Sequence, residues 1–133
     1  MKSERRLYLM HDDEIITVFP VTFGSNPKGH KQQEGDGRTP EGLYQLDWKH
    51  SDSGYHKSIH ISYPNAADQK KASEIGVEPG GAIMVHGQKN GWGWLAPLAR
   101  YINWTDGCIA LRNVDMDVFW SRVEPGTPIE IRP

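Results

Sequence analysis

The sequence holds a single cysteine, Cys108, among 133 residues. One cysteine excludes an internal disulfide framework and any metal site built on two thiolates. There is no apolar run near the roughly 18 residues that a membrane-spanning helix requires, so no stable membrane insertion is expected. Neither sign of charge dominates. Fifteen Lys and Arg against seventeen Asp and Glu leave a formal net charge of −2, with no basic field to gather nucleic acid or an anionic membrane. An acidic substrate must therefore be met by locally placed cations. Internal repeats and low-complexity segments are absent. The opening Met1 to Arg6 is basic but has no apolar stretch behind it, so it does not read as a secretory signal. A cytoplasmic chain and one whose leader has been removed both fit.

What is present describes one soluble domain over residues 1–133. Hydrophobic residues make up 37% and charged residues 24%, and two separate cores would be hard to build at this length. Fourteen glycines and nine prolines punctuate short apolar runs, which leans toward a β-rich fold. Leu7 and Leu9, then Ile15 to Phe19, predict a hairpin across His11-Asp12-Asp13-Glu14. Residues Gly24 to Pro40 read as one long exposed loop, and Leu43 to Trp48 as a strand. Ser58 to Tyr63 alternates with period two, placing Ile59, Ile61 and Tyr63 on one face and His60 and Ser62 on the other. Asn65 caps a helix that ends at Gly76, and Ala82 to Val85 forms a strand delivering His86-Gly87. Asn113 caps a second helix whose Met116, Phe119, Trp120 and Val123 recur at helical spacing; Thr127 to Ile131 is a last strand. The expected architecture is a mostly β, sandwich- or barrel-like single domain with two short helices.

Cys108 follows Gly107, and glycine there permits a sharp turn and close approach to a ligand. A thiol acts as a nucleophile near neutral pH only with a lowered pKa and a base at hand. His86, at a predicted strand end and followed by Gly87, is the best base candidate. By residue type alone the pair is a weak signal, and an inert buried thiol with a surface histidine fits composition better. His56 and His60 stand four apart, a spacing that serves a metal only on a helix; this stretch reads as strand, so no metal site is expected. Trp92, Trp94 and Trp104 form either a lid or sugar-stacking wall, or simple core packing. Lys28, His30, Lys31 and Arg38 could attract a substrate carboxylate or stand solvated.

Several motifs in one order point further. His86-Gly87, followed by Thr105-Asp106-Gly107-Cys108-Ile109, resembles the active-site signature of L,D-transpeptidase (YkuD-type) catalytic domains. Gly37-Arg38-Thr39-Pro40-Glu41-Gly42 resembles that family's Thr-Pro-x-Gly turn, and Leu7 to Phe19 its opening hairpin. Ser58 to Asn65 and Trp104 to Ala110 resemble a YafK-like subgroup found in Gram-negative envelopes. The resemblance implies Cys108 as nucleophile, His86 as general base, and backbone N–H groups near Gly107 and Cys108 as the oxyanion hole. It implies acyl transfer on peptidoglycan stem peptides at the diaminopimelate–D-alanine bond, through a thioester and without a cofactor. It further implies a periplasmic or envelope location, a monomer, and an envelope lipoprotein as a conceivable partner. The runner-up is a murein amide hydrolase of the same fold, with water as acceptor. His60, Ser62, Gly87, Thr105 and Arg112 are the candidates for contact with substrate. Two departures stand out: Asp106 occupies a position where many members have histidine, and Ala110 one where many have arginine or asparagine. Asp106 is expected either to orient the His86 imidazolium or to make a turn hydrogen bond.

Overall fold

The structure, a computed structural model, describes residues 1–53, 56–88 and 107–133. Its elements in chain order are β1 (Arg6–His11), β2 (Glu14–Pro20), β3 (Gly42–Ser53), β4 (His56–Ile61), α1 (Ala66–Ile75), β5 (Met84–His86), β6 (Ile109–Ala110), α2 (Asn113–Arg122) and β7 (Thr127–Ile131). The mostly β architecture with two short helices is the one the sequence predicts.

The hairpin turns on Asp12 and Asp13, whose φ values of 47° and 68° are the left-handed pair that matches strand twist in a two-residue connection. Asp tolerates that region better than a branched residue does. The other five strands form one sheet in the order β6-β5-β4-β3-β7, antiparallel throughout except for the parallel β5–β6 pair. The chain after β2 bonds to the free edge of β6, Thr22 and Ala110 exchanging N–H···O bonds of 3.0 and 2.9 Å. At the opposite side Lys2 N donates to Arg132 O, just past β7. The N-terminal segment thus reaches both sides of the sheet, β6 through Thr22 and the residue after β7 through Lys2.

Inward-facing Leu46, Ile59, Ile61, Val85, Ile109 and Ile131 pack in one cluster with Phe19, Val21 and Phe23 and with Met116, Phe119 and Val123 of the α2 segment. The period-two reading of β4 holds, since Ile59, Ile61 and Tyr63 are buried while His60 and Ser62 are half-buried. Helix α1 is capped as expected. Asn65 accepts from Asp68 N, Asp68 accepts from Asn65 N, and Gly76 closes the helix in the left-handed conformation.

Four expectations need correction. Strand β3 runs on to Ser53 rather than ending at Trp48, because pairing with β4 continues through polar residues that carry no apolar alternation. Strand β5 starts at Met84 and includes His86; Ala82, at φ 54°, lies outside it. Asn113 is not the cap of α2. Arg112 holds that position, and Asn113 Oδ1 instead accepts from Gln88 N at 2.8 Å.

Finally, Gly24 to Pro40 is irregular as expected but only partly exposed: Gly24, Lys31, Gly37, Thr39 and Pro40 are buried, while Ser25, Asn26 and Gln32 to Gly35 face solvent. Its polar composition signals a lack of regular pairing, and the polar groups bond internally. Asp36 gathers the N–H groups of Gln32, Gln33 and Arg38 and the Lys31 ammonium at 2.9 Å. Burial works to raise the Asp36 pKa, yet these four donors outweigh it and hold the carboxyl below its ordinary value. Lys2 ties the middle of the segment to its end, donating to Gly29 O and Thr39 O and pairing with Glu41 at 3.2 Å.

Candidate active site

Sheet register brings the separated motifs together. Ser58 pairs with His86 and His86 with Ala110, so these three form one row across β4, β5 and β6. His60 pairs with Met84, and Cys108, one residue before β6 begins, is level with Met84 in the next row. Val85 and Ile109 face the core, so His86 and Cys108 share the opposite face. One strand spacing of about 4.8 Å across and two residues of about 3.3 Å along put their Cα atoms roughly 8 Å apart, within reach of two inclined side chains.

The backbone around His86 is held on both sides. Its carbonyl accepts from Leu111 N at 2.9 Å, and Gly87 N donates to Lys57 O at 3.0 Å. The Gln88–Asn113 bond secures the strand's exit. His86 is 3% exposed, and its Nδ1 lies 2.5 Å from Gly87 O. A carbonyl only accepts, so Nδ1 carries the proton and Nε2 is the basic nitrogen. Burial depresses the His86 pKa by disfavouring the cation, and the Gly87 carbonyl offsets this only in part. Burial thus favours the neutral imidazole at His86, with the proton on Nδ1 facing Gly87 O.

Cys108 is half-buried, and its thiol points to Ala82 O at 3.4 Å. The preceding Gly107 has φ 116°, and it is buried where three segments cross. A Cβ on Gly24 would stand 2.8 Å from Gly107 Cα, and a Cβ on Gly107 would collide with the Arg38 carbonyl oxygen. Only glycine lets these backbones approach so closely. Thr39, fully buried, closes the crossing by donating its hydroxyl to Gly107 O at 2.8 Å.

The remaining candidates are distributed unevenly. His60 stands in the same row as Cys108 but with Met84 between them; its Nδ1 bonds Asp47 at 2.6 Å and its ring stacks on Trp48, centroids 4.8 Å apart. Ser62 Oγ accepts from Gln45 N at the far end of β4. Gly87 adjoins His86 and is buried. Arg112 lies beyond the opposite end of β6, four residues or about 13 Å of extended chain from Cys108. Its guanidinium grips Asp115 through two bonds, 2.8 and 3.2 Å. Thr105 and Asp106, together with Trp92, Trp94 and Trp104, lie outside the described residues. In the long loop Lys31 is committed to Asp36, and His30 to Asp68 at 2.8 Å, so neither is a free cation for substrate. His56 bonds Asp117 rather than joining His60.

Sequence reasoning assigned no role to Thr39, Ser58 or the Ala82 carbonyl. Thr39 carried a signal, since it sits in a Thr-Pro turn flanked by Gly37 and Gly42. Ser58, 1% exposed in the His86 row, has a hydroxyl with no partner among the described residues, and only the register reveals its place.

A family model described as the YkuD L,D-transpeptidase catalytic domain matches residues 1–131. A curated relative from Escherichia coli (strain K12), named "Putative L,D-transpeptidase YafK", is 34% identical over 92 residues, covering 65% of this chain and 35% of that protein. Among solved structures, the helical cell shape determining protein Pgp2 from Campylobacter jejuni matches with a TM-score of 0.71 and 26% identity, over 98% of this chain and 45% of the other. The LD transpeptidase LdtMt1, solved in complex with imipenem, shares the fold at a TM-score of 0.64 and 18% identity, over 98% of this chain and 56% of the other. The chain thus spans roughly a third to just over half the length of these proteins.

Proposed function

The chain belongs to the YkuD family of L,D-transpeptidase catalytic domains, and from that premise we propose that residues 1–133 form one catalytic domain performing cysteine-dependent acyl transfer on peptidoglycan stem peptides in the cell envelope. The observation that supports this most directly is the parallel β5–β6 pairing, which sets Cys108 and His86 on one sheet face.

The chemistry follows from the two side chains. Neutral His86 takes the thiol proton at Nε2, giving a thiolate and an imidazolium. The thiolate attacks the carbonyl carbon of the diaminopimelate residue, forming an S–C bond and placing negative charge on the carbonyl oxygen. Backbone N–H groups beside Gly107 and Cys108 stabilise that charge; one such donor is typically worth about 10²–10³ in rate. The C–N bond then breaks, His86 returns its proton to the departing D-alanine amine, and a thioester remains. An amine acceptor, deprotonated by His86, attacks the thioester to form a cross-link and regenerate the thiol. Water in the same place yields a shortened stem. In the row of Cys108, His60 and Trp48 would meet the peptide or sugar next to the scissile bond.

Mass spectrometry of products from purified disaccharide tetrapeptides tests the reading. Loss of D-alanine with dimer formation marks transfer to an amine, and loss of D-alanine alone marks transfer to water. Both must vanish in Cys108→Ala. If tetrapeptides stay unchanged with wild-type protein, or if Cys108→Ala turns over normally, the reading fails.

A further inference from the structure

We propose that Thr39 is a positioning residue whose hydroxyl fixes the Gly107–Cys108 peptide so that the Cys108 N–H serves as an oxyanion donor. The proposal rests on the acyl-transfer reading above and adds a residue that touches neither substrate nor thiol.

Gly107 has to be glycine, because its φ of 116° and its contact with the Arg38 carbonyl leave no room for a side chain. Glycine brings a cost of its own. The peptide that follows it, which contains the Cys108 N–H, is the one most free to rotate. Thr39 removes that freedom. Its hydroxyl, contributed from 68 residues away, donates to Gly107 O at 2.8 Å in a fully buried setting.

The donor is itself rigid. Threonine is β-branched and restricted at χ1. The following Pro40 confines the Thr39 backbone to extended conformations. The Thr39 carbonyl is held by the Lys2 ammonium at 2.5 Å.

Geometry then transmits the restraint. The only cis peptide among the described residues is Tyr63–Pro64, so Gly107–Cys108 is trans, and its C=O and N–H point in opposite directions. A carbonyl drawn into the buried crossing toward Thr39 directs the Cys108 N–H the other way. A hydrogen bond accepted by the carbonyl also polarises the amide and strengthens its N–H as a donor. The same crossing therefore shapes the nucleophile's turn and aims the dipole that answers the charge created by attack.

Two reactions of one thiol separate this role from general support of the fold. Alkylation by iodoacetamide is a displacement at saturated carbon and develops no oxyanion. Acylation by the β-lactam imipenem forms a tetrahedral oxyanion: the thiol sulfur bonds the lactam carbonyl carbon, the C–N bond breaks, and the thiol proton passes through His86 to the nitrogen. Thr39→Val keeps shape and removes the donor. It is expected to lower the acylation rate about 10–10²-fold, short of the full loss of one oxyanion donor, while alkylation and its pH profile stay within about twofold. Thr39→Ser keeps the hydroxyl but loosens its rotamer, and should acylate at a rate between wild type and Val with unchanged alkylation. This second variant carries the test if Thr39→Val fails to fold. The proposal is overturned if either variant slows both reactions alike, or if a folded Thr39→Val acylates at the wild-type rate. Wild-type protein that alkylates but is acylated by neither imipenem nor stem peptide would overturn the acyl-transfer reading itself, and the Thr39 proposal with it.

Discussion

Replacing Gly107 by alanine is the sharpest probe of the crossing beneath Cys108. A Cβ there would stand 3.3 Å from the Arg38 carbonyl carbon, nearer still to its oxygen, and 3.2 Å from Ile83 Cδ1. The isoleucine tip can move. The carbonyl cannot move easily, because Arg38 N is tied to Asp36 and Thr39 is tied to Gly107. Overpacking of this kind costs about 1–3 kcal/mol. Holding an L-residue at φ 116° adds strain of about 1–3 kcal/mol. The sum is about 2–6 kcal/mol, a large share of the roughly 5–15 kcal/mol that holds a typical domain together. Gly76→Ala is the internal control. Gly76 also has positive φ, 75°, but nothing lies within 4 Å of a Cβ built there, so only the left-handed penalty of about 1–2 kcal/mol applies. Both variants gain the same unfolded-state entropy term, which cancels between them. Urea titrations of the two variants and wild type, with m-values compared, measure the difference. Equal losses within about 0.5 kcal/mol would refute the steric argument. Gly107→Ala should also change the rate of Cys108 alkylation, since the turn carrying the thiol must shift; an unchanged rate would show that the crossing does not shape the thiol's surroundings.

The depressed His86 pKa has a definite sign for stability. The unfolded chain binds the His86 proton near pH 6.5 more readily than the folded chain does, so stability falls as pH drops from about 6.5 toward the lower folded value; His86→Gln should flatten that part of the profile of urea midpoint against pH. For the same reason the acid limb of wild-type turnover should lie below pH 6.5. Asp36→Asn removes the counter-charge of the Lys31 ammonium, whose side chain is 3% exposed and would keep the Gln33 carbonyl at 3.2 Å, and should cost about 3–5 kcal/mol in urea unfolding. Because the Asp36 pKa is lowered, its contribution is present above about pH 3.8 and lost as pH falls through the folded value, so the variant should lack that acid-dependent loss. Asn113→Ala leaves the buried Gln88 N–H without its acceptor, at about 1–3 kcal/mol, and should slow turnover by loosening the exit of the His86 strand; a stable variant with wild-type turnover would separate that bond from the site.

Elements whose logic is local were legible in the sequence. The Asp12-Asp13 turn fixed the hairpin, and the alternation from Ser58 to Tyr63 separated core residues from His60 and Ser62. Asn65 and Gly76 bounded α1, and the helical spacing of Met116, Phe119 and Val123 marked the buried stripe of α2 and its C-cap. Composition likewise limited the chemistry, since one cysteine leaves one thiol. His86 and Cys108 could be named from motifs, but their shared face could not be derived, because β5 and β6 are short and their parallel pairing joins segments whose intervening chain carries no register.

Tertiary structure alone decided which polar groups became internal. Lys31, Thr39 and Ser58 have the composition of surface residues and are buried. Asn113 has the composition of a cap and bonds a strand instead. Hydrophobic periodicity records what each segment must hide from water, and sequence therefore determined the hairpin, the buried face of β4, the two helices and the single thiol. A buried hydroxyl or amide is placed by the partner it satisfies, and that partner here lies up to 68 residues away. No local pattern encodes that distance, so the crossing of Gly24, Arg38, Thr39 and Gly107 beneath Cys108 came from the fold.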